Sequence, residues 1–284
     1  MDATLSEWFH LFLRWFHVFA GILWIGSTWF FSWLDRTLEN LGAVRDQITG
    51  ETYLVHSGGF YYVQKQKFVP GQMPPVLHWF RWEALLTWVS GVILLVIVYY
   101  LGGAMVSSES PLGLGAAVAV GIGSMVVGWV IYDLIWSSPI AKHDKLGIAI
   151  CYLLLVGAAF GLSKVITGRA AFIHVGAIMG TIMVANVWMR ILPGQAKMLA
   201  AVRENRPIDY SLGDRAKQRS KHNTYMGTSV VLIMISNHFP TLYGSEYGWA
   251  ALAGLVIVGW IGRALYIRPP KPMAAIQVSE GANG

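Results

Sequence analysis

Residues 146–163 read LGIAICYLLLVGAAFGLS, a run without a single charge. Crossing ~30 Å of hydrocarbon takes ~20 predominantly apolar residues, so this run has the length and composition of a membrane span. Comparable runs lie at 8–34, 83–101, 111–136, 170–192, 223–243 and 248–266. Across the 284 residues, 55% are hydrophobic and only 13% charged, a balance that a water-soluble core of this size cannot bury. The expected fold is an all-α integral membrane protein with about seven transmembrane helices. One polytopic domain over residues 1–268 is followed by a tail, 269–284, that its Pro-, Gly- and Ala-containing composition marks as disordered.

The apolar run behind the acidic start MDATLSE is too long and too rich in tryptophan for a cleaved signal peptide, so the first helix is expected to stay. Cys151 is the one cysteine, which excludes a disulfide, a cysteine-based zinc or iron–sulfur site and a Cys-x-x-Cys-His heme attachment within this chain. A net charge of +6 would suit nucleic acid, but the placement of the charges argues for orientation instead. All of the 21 basic residues except Arg14, Lys164, Arg169 and Arg190 fall in alternate segments. That pattern puts the N-terminus outside, the C-terminus in the cytoplasm, and both long connections, 35–82 and 193–221, on the cytoplasmic side.

The first connection contains HSGGFYYVQKQKF at 56–68, where alternating aromatics and amides predict a small ordered hairpin. The second is basic and amphipathic, the pattern of a solvated helix on anionic lipid. A weak internal repeat pairs helices 1 and 2 with helices 5 and 6. Helix 1 reads Arg14, His17, Gly21, Trp24 and helix 5 reads Arg169, His174, Gly176, Gly180. Helix 2 enters at His78, and helix 6 at His222.

Ionisable and metal-ligating side chains inside a membrane point to function. His17, Gly21, Trp24 and Thr28 recur at i, i+4, i+7 and i+11 on one helix face, and the glycine leaves room for a porphyrin edge. An imidazole there suits an axial ligand of heme b, with Arg14 near a propionate. His174, with Arg169 just before it, and His238 compete as the second ligand to that iron. On the inner side His78, Arg81, Glu83, Asp133, His222, Asn223 and Tyr225, with Tyr132 nearby, are expected to gather at one depth. They would form either a second heme site through His78 and His222 or a substrate pocket.

The strings His78-Trp-Phe-Arg-Trp-Glu-Ala, Trp88-Val-Ser-Gly, Tyr99-Tyr-Leu-Gly-Gly, Ala185-Asn-Val-Trp and Ile235-Ser-Asn-His-Phe-Pro resemble the membrane domain of the bacterial membrane-bound urate oxidase family. The resemblance covers residues 5–268. It implies an inner-membrane enzyme of purine catabolism that converts urate to 5-hydroxyisourate. Family members often carry a fused cytochrome c domain, whereas this sequence ends soon after its seventh span, so a separate cytochrome c or another acceptor is implied. Combined with the inner polar residues, the resemblance suggests urate beneath the 56–68 loop, held by Gln64, Lys65, Gln66, Arg81, Asn223 and Tyr225. Glu83 or Asp133 would take the proton, and electrons would pass through b-type heme. Competing readings are a proton-coupled permease, another heme membrane enzyme such as a membrane-type protoporphyrinogen oxidase, and an anchoring subunit for a cytochrome.

Overall fold

The computed structural model describes residues 3–40 and 47–268. Helix α1 spans Ala3–Asn40, β1 Ile48–His56, β2 Gly59–Gln66, α2 Trp82–Leu95, α3 Leu114–Ser137, α4 Asp144–Val165, α5 Gly168–Ala185 and α6 Leu192–Arg203. Helix α7 spans Ser211–Ser236, the short α8 Pro240–Tyr243 and α9 Gly248–Tyr266. Two wider π-helical segments interrupt this pattern. Val96–Leu101 prolongs α2, and Asn186–Ile191 joins α5 to α6 without a break.

Six helical stretches among the described residues are long and apolar enough to cross a membrane. The all-α membrane fold expected from the sequence is therefore present. Helix α7 falls outside that six because its first half holds Asp214, Arg215, Lys217, Arg219 and Lys221. Its second half is apolar, and it links the ends of the bundle between α6 and α9. The expected boundaries were too tight in three places. Helix α1 runs over 3–40 rather than 8–34, the fifth span continues to Arg203, and α7 starts at Ser211 rather than 223. Each extension is polar or amphipathic, which hydropathy cannot detect. The expected tail 269–284 lies outside the described residues.

At ~1.5 Å per residue, the 38 residues of α1 span ~57 Å and so reach well past the hydrocarbon. The overhang carries the expected hairpin. Strands β1 and β2 pair antiparallel, with Tyr53 opposite Tyr62 and Val55 opposite Phe60. Gly58 closes the turn at φ +78, a left-handed conformation that suits glycine. Lys65 of β2 and Lys217 of α7 both bind Asp35 and Glu39 on α1. This ion-pair cluster fixes the hairpin to α1 and α7.

Helix α5 is the axis of the bundle. Within its membrane window 78% of residues are buried, against 11–28% in the other five. Those five put large apolar side chains on the outside, Leu11, Phe12, Trp15 and Phe19 on α1 among them, as a helix bathed in lipid should. Thr167 starts α5 by accepting from Ala170 N–H at 3.2 Å and ties it to the connection between α2 and α3 by donating to Ala104 O at 2.8 Å. Helix α5 packs on α2, α3, α4 and α7. Polar residues on α5 and its continuation are thus enclosed by protein.

Candidate functional site

At the hairpin end, the π-helical continuation of α5 directs Asn186, fully buried, toward α3 and α7. π segments inside helices often mark functional positions. The hydrogen bonds around Asn186 fix one another's direction. Asn223 Nδ2 donates to the Met183 carbonyl at 2.9 Å, which turns Asn223 Oδ1 toward Asn186. Asn186 Nδ2 must then donate, and it does so to Asn223 Oδ1 at 2.9 Å and to Tyr132 Oη at 3.0 Å. Its Oδ1 accepts from Arg219 at 3.4 Å. Apart from His222 the Tyr132 hydroxyl meets only donors, Asn186 and Arg219, so its single proton goes to His222 Nδ1 at 2.9 Å. His222 accordingly carries its proton on Nε2. That Nε2–H is buried and has no partner. The Trp136 ring lies 4.1 Å from the His222 ring, and its Nε1–H is turned toward the Cys151 thiol.

Charge surrounds this chain. Asp133 binds Arg219 at 3.0 Å and is chelated by Arg190, whose Nε lies 2.8 Å from Oδ1. Arg219 is buried and stacks 5.1 Å over the Tyr132 ring, whereas Arg190 is exposed. The site therefore holds an exposed and a buried guanidinium, both paired with Asp133, and one orphaned ring N–H on His222. Such a set suits a planar, anionic, carbonyl-rich ligand.

At the opposite end a second polar group forms where the other π segment ends α2. Tyr99 Oη and Asn237 Oδ1 lie 3.2 Å apart, and Arg169 Nε donates to Asn237 Oδ1 at 3.2 Å. His174 is fully buried. Its Nδ1–H donates to Ala170 O at 2.8 Å, and its Nε2 accepts from Tyr100 Oη at 3.1 Å. Every ring nitrogen is satisfied. A Cβ on Gly121 would stand 2.5 Å from His174 Nε2, so the imidazole fills the space that glycine leaves.

A family model described as urate oxidase N-terminal matches residues 3–279. The chain belongs to that family. Neither a curated protein nor a solved structure matches it.

In this urate oxidase N-terminal domain the sequence-expected residues separate into distinct places. Asp133, His222 and Asn223 come together as expected, with Tyr132. The residues missed were Asn186, Arg219, Arg190 and Trp136. An amide inside an apolar run was the available signal for Asn186, whereas Arg219 was hidden in a basic stretch that reads as solvated.

His78, Arg81 and Glu83 do not join the cluster. They precede or open α2, where Arg81 lies 5.3 Å over Trp82 and Trp82 packs at 5.7 Å on Trp188. Trp188 is two residues from Asn186 and so projects from a different side of the same helix. His78 is exposed, its ring 4.6 Å from Phe80. Tyr225 faces away as well, under the Arg263 guanidinium at 4.1 Å. Gln64 is held on the hairpin by Tyr62 and Glu51, Lys65 by Asp35, and Gln66 pairs with Ile48 in the sheet. Asp133 is engaged by two arginines, which makes it an anchor rather than a proton acceptor.

The expected pairing of His17 with His174 or His238 on one iron is not assembled. His17 packs on α2 at mid-depth, its Nδ1–H bonded to Thr87 O at 3.0 Å and near Ser90 Oγ at 3.0 Å. His174 meets the π-helical prolongation of α2 at Tyr100, beyond Ser90 by ~15 Å at ~1.5 Å per residue, too far for two ligands of one iron. His238 is exposed beyond α7, and Arg14 is exposed on α1. Gly21 is covered by Thr87 at 3.8 Å from a Cβ position, so helix α2, not a porphyrin, occupies that face. The repeat is likewise not expressed in the histidines: α1 packs on α2 and α5 on α7, but His17 and His174 make different contacts. Among the described residues no group of three His, Cys, Asp or Glu side chains could hold a metal ion.

Proposed function

We propose that this chain binds urate at the hairpin end of the bundle, oxidises it to 5-hydroxyisourate, and passes the electrons to a cytochrome c or another external acceptor. The observation that carries the reading is the locked hydrogen-bond chain from Met183 through Asn223, Asn186 and Tyr132, which ends in the free Nε2–H of His222. Family membership supplies the substrate, and the donor set supplies the fit. Urate presents carbonyl oxygens and carries a negative charge near neutral pH. His222 would donate to one of its carbonyls, Trp136 would lie against its plane beside His222, Arg190 would meet it at the surface, and the pair of Arg219 with Asp133 would hold Tyr132 and Asn186 in place.

The overall change adds water to the substrate and releases two protons and two electrons. The basic segments at this end favour the cytoplasmic side of a bacterial inner membrane, the side on which urate would be produced. His17 donates through Nδ1 to the Thr87 carbonyl and α2 covers the face that Gly21 leaves, so the described residues form no cradle for heme b and no step of the reaction is routed through one. The protein's own residues bind, orient and desolvate the substrate. The reading is tested with detergent-purified chain, urate and ferricyanide or cytochrome c as acceptor. Urate-dependent reduction that His222→Phe depresses at least tenfold through a weaker KM is expected; turnover indifferent to that change would remove urate from this site.

A further inference from the structure

A groove of about 850 Å³ lies between α1, α7 and α9, lined by Gly26, Trp29, Trp33, Thr228, Gly259 and Gly262, among others. Its three walls converge at the hairpin end. On α1 the row Trp29, Trp33 is continued by Arg36 at i+7 and i+3. On α7 Thr224 precedes Thr228 by one turn, and on α9 Arg263 follows Gly259 by one turn. An apolar trough thus leads to two arginines.

Arg263 is 8% exposed, so its guanidinium is withdrawn from water. Its Nε donates to Thr224 Oγ1 at 3.2 Å, and that hydroxyl donates in turn to Lys221 O at 2.7 Å. The guanidinium lies 4.1 Å over the Tyr225 ring. Among the described residues no carboxylate pairs with Arg263 or with Arg36, and the charge of Arg36 bears on Arg263. Asp35, the neighbouring acid, is taken by Lys65 and Lys217. A buried cation without a counter-ion is costly, and the positive charge of the exposed Arg36 adds to the cost of Arg263. Planar guanidiniums match phosphate oxygens two at a time.

We propose that this groove is a binding site for an anionic phospholipid, its acyl chain along the aromatic and glycine-lined trough and its phosphate between Arg36 and Arg263. The site is separate from the urate cluster, because Thr224, to which Arg263 of α9 is bonded, lies on a different face of α7 from Arg219 and His222. The lipid supplies the missing negative charge and ties α1 to the packed pair α7 and α9.

The experiment titrates the detergent-purified full chain with phosphatidylglycerol, with phosphatidylcholine of the same acyl chains, and with inorganic phosphate, and reads Tm and retained lipid by native mass spectrometry. Phosphatidylglycerol well above its Kd should raise Tm by about 5 °C and remain bound, while the other two do neither. Arg36→Gln removes an exposed side chain at a helix end and should fold; it should lose half the shift or more, and Arg263→Gln the rest. An equal shift with phosphatidylcholine, a shift reproduced by phosphate alone, or a full shift retained in Arg36→Gln would overturn the proposal. So would a chain that carries no lipid and instead buries the groove in a stable dimer.

Discussion

At one end of the bundle His174 donates through Nδ1 to Ala170 and accepts through Nε2 from Tyr100, with Gly121 closed over it. At the other end His222 receives the Tyr132 proton on Nδ1 and keeps an Nε2–H that meets nothing. Both imidazoles are buried in the membrane domain, both sit beside a tyrosine, and both lie near an arginine. The difference is in what remains after the protein has made its own bonds. A buried histidine with both nitrogens satisfied holds helices together, whereas one with a leftover donor leaves a place for a ligand. The sequence offers the two as equals, and hydrogen-bond direction separates them.

The largest expected effect breaks the chain at its centre. Asn186→Leu removes donors to Tyr132 and Asn223 and an acceptor for Arg219, and it should lower stability by about 2–4 kcal/mol and abolish measurable urate binding. Unfolding midpoints and equilibrium binding check it; native affinity in a folded variant would break the comparison at once. His222→Phe keeps ring volume next to Trp136 and removes the free donor. Urate affinity should fall at least about tenfold, with a stability change of only about 1 kcal/mol, since an unsatisfied donor disappears while Tyr132 loses an acceptor.

The opposite end should behave the other way round. Gly121→Ala forces a Cβ against His174 and should cost about 1–3 kcal/mol in unfolding free energy with urate binding unchanged. The smallest effect belongs to Tyr100→Phe, about 1 kcal/mol from a single lost hydrogen bond and none on urate turnover. A loss of urate affinity in either variant would show that the satisfied end also serves the substrate.

Fold and site were legible to different depths. Spans such as 146–163 read directly because apolar length has one interpretation, and the alternation in 56–68 gave the hairpin. The polar overhangs of α1 and α7 were hidden, since outside hydrocarbon a helix needs only one apolar stripe. Asp133, His222 and Asn223 could be named from the sequence because polar groups are conspicuous at span ends. Arg219 looked like every other basic residue around it, and its burial depends on Asp133 from another helix. Neither π segment is visible in composition, yet the one after Ala185 aims Asn186 and the one after Leu95 carries Tyr99 and Tyr100 into the opposite cluster. His17 and His174 shared a pattern along their helices while resting on parts of α2 far apart.

The direction of the chain through Asn223 and Asn186 has one more consequence. Side-chain amides do not pass protons along, and here each is pinned with its oxygen and nitrogen facing fixed neighbours. Toward the middle of the bilayer the site therefore ends in an insulator. Protons released there would return to the water on the hairpin side, so turnover would carry no proton through the bundle.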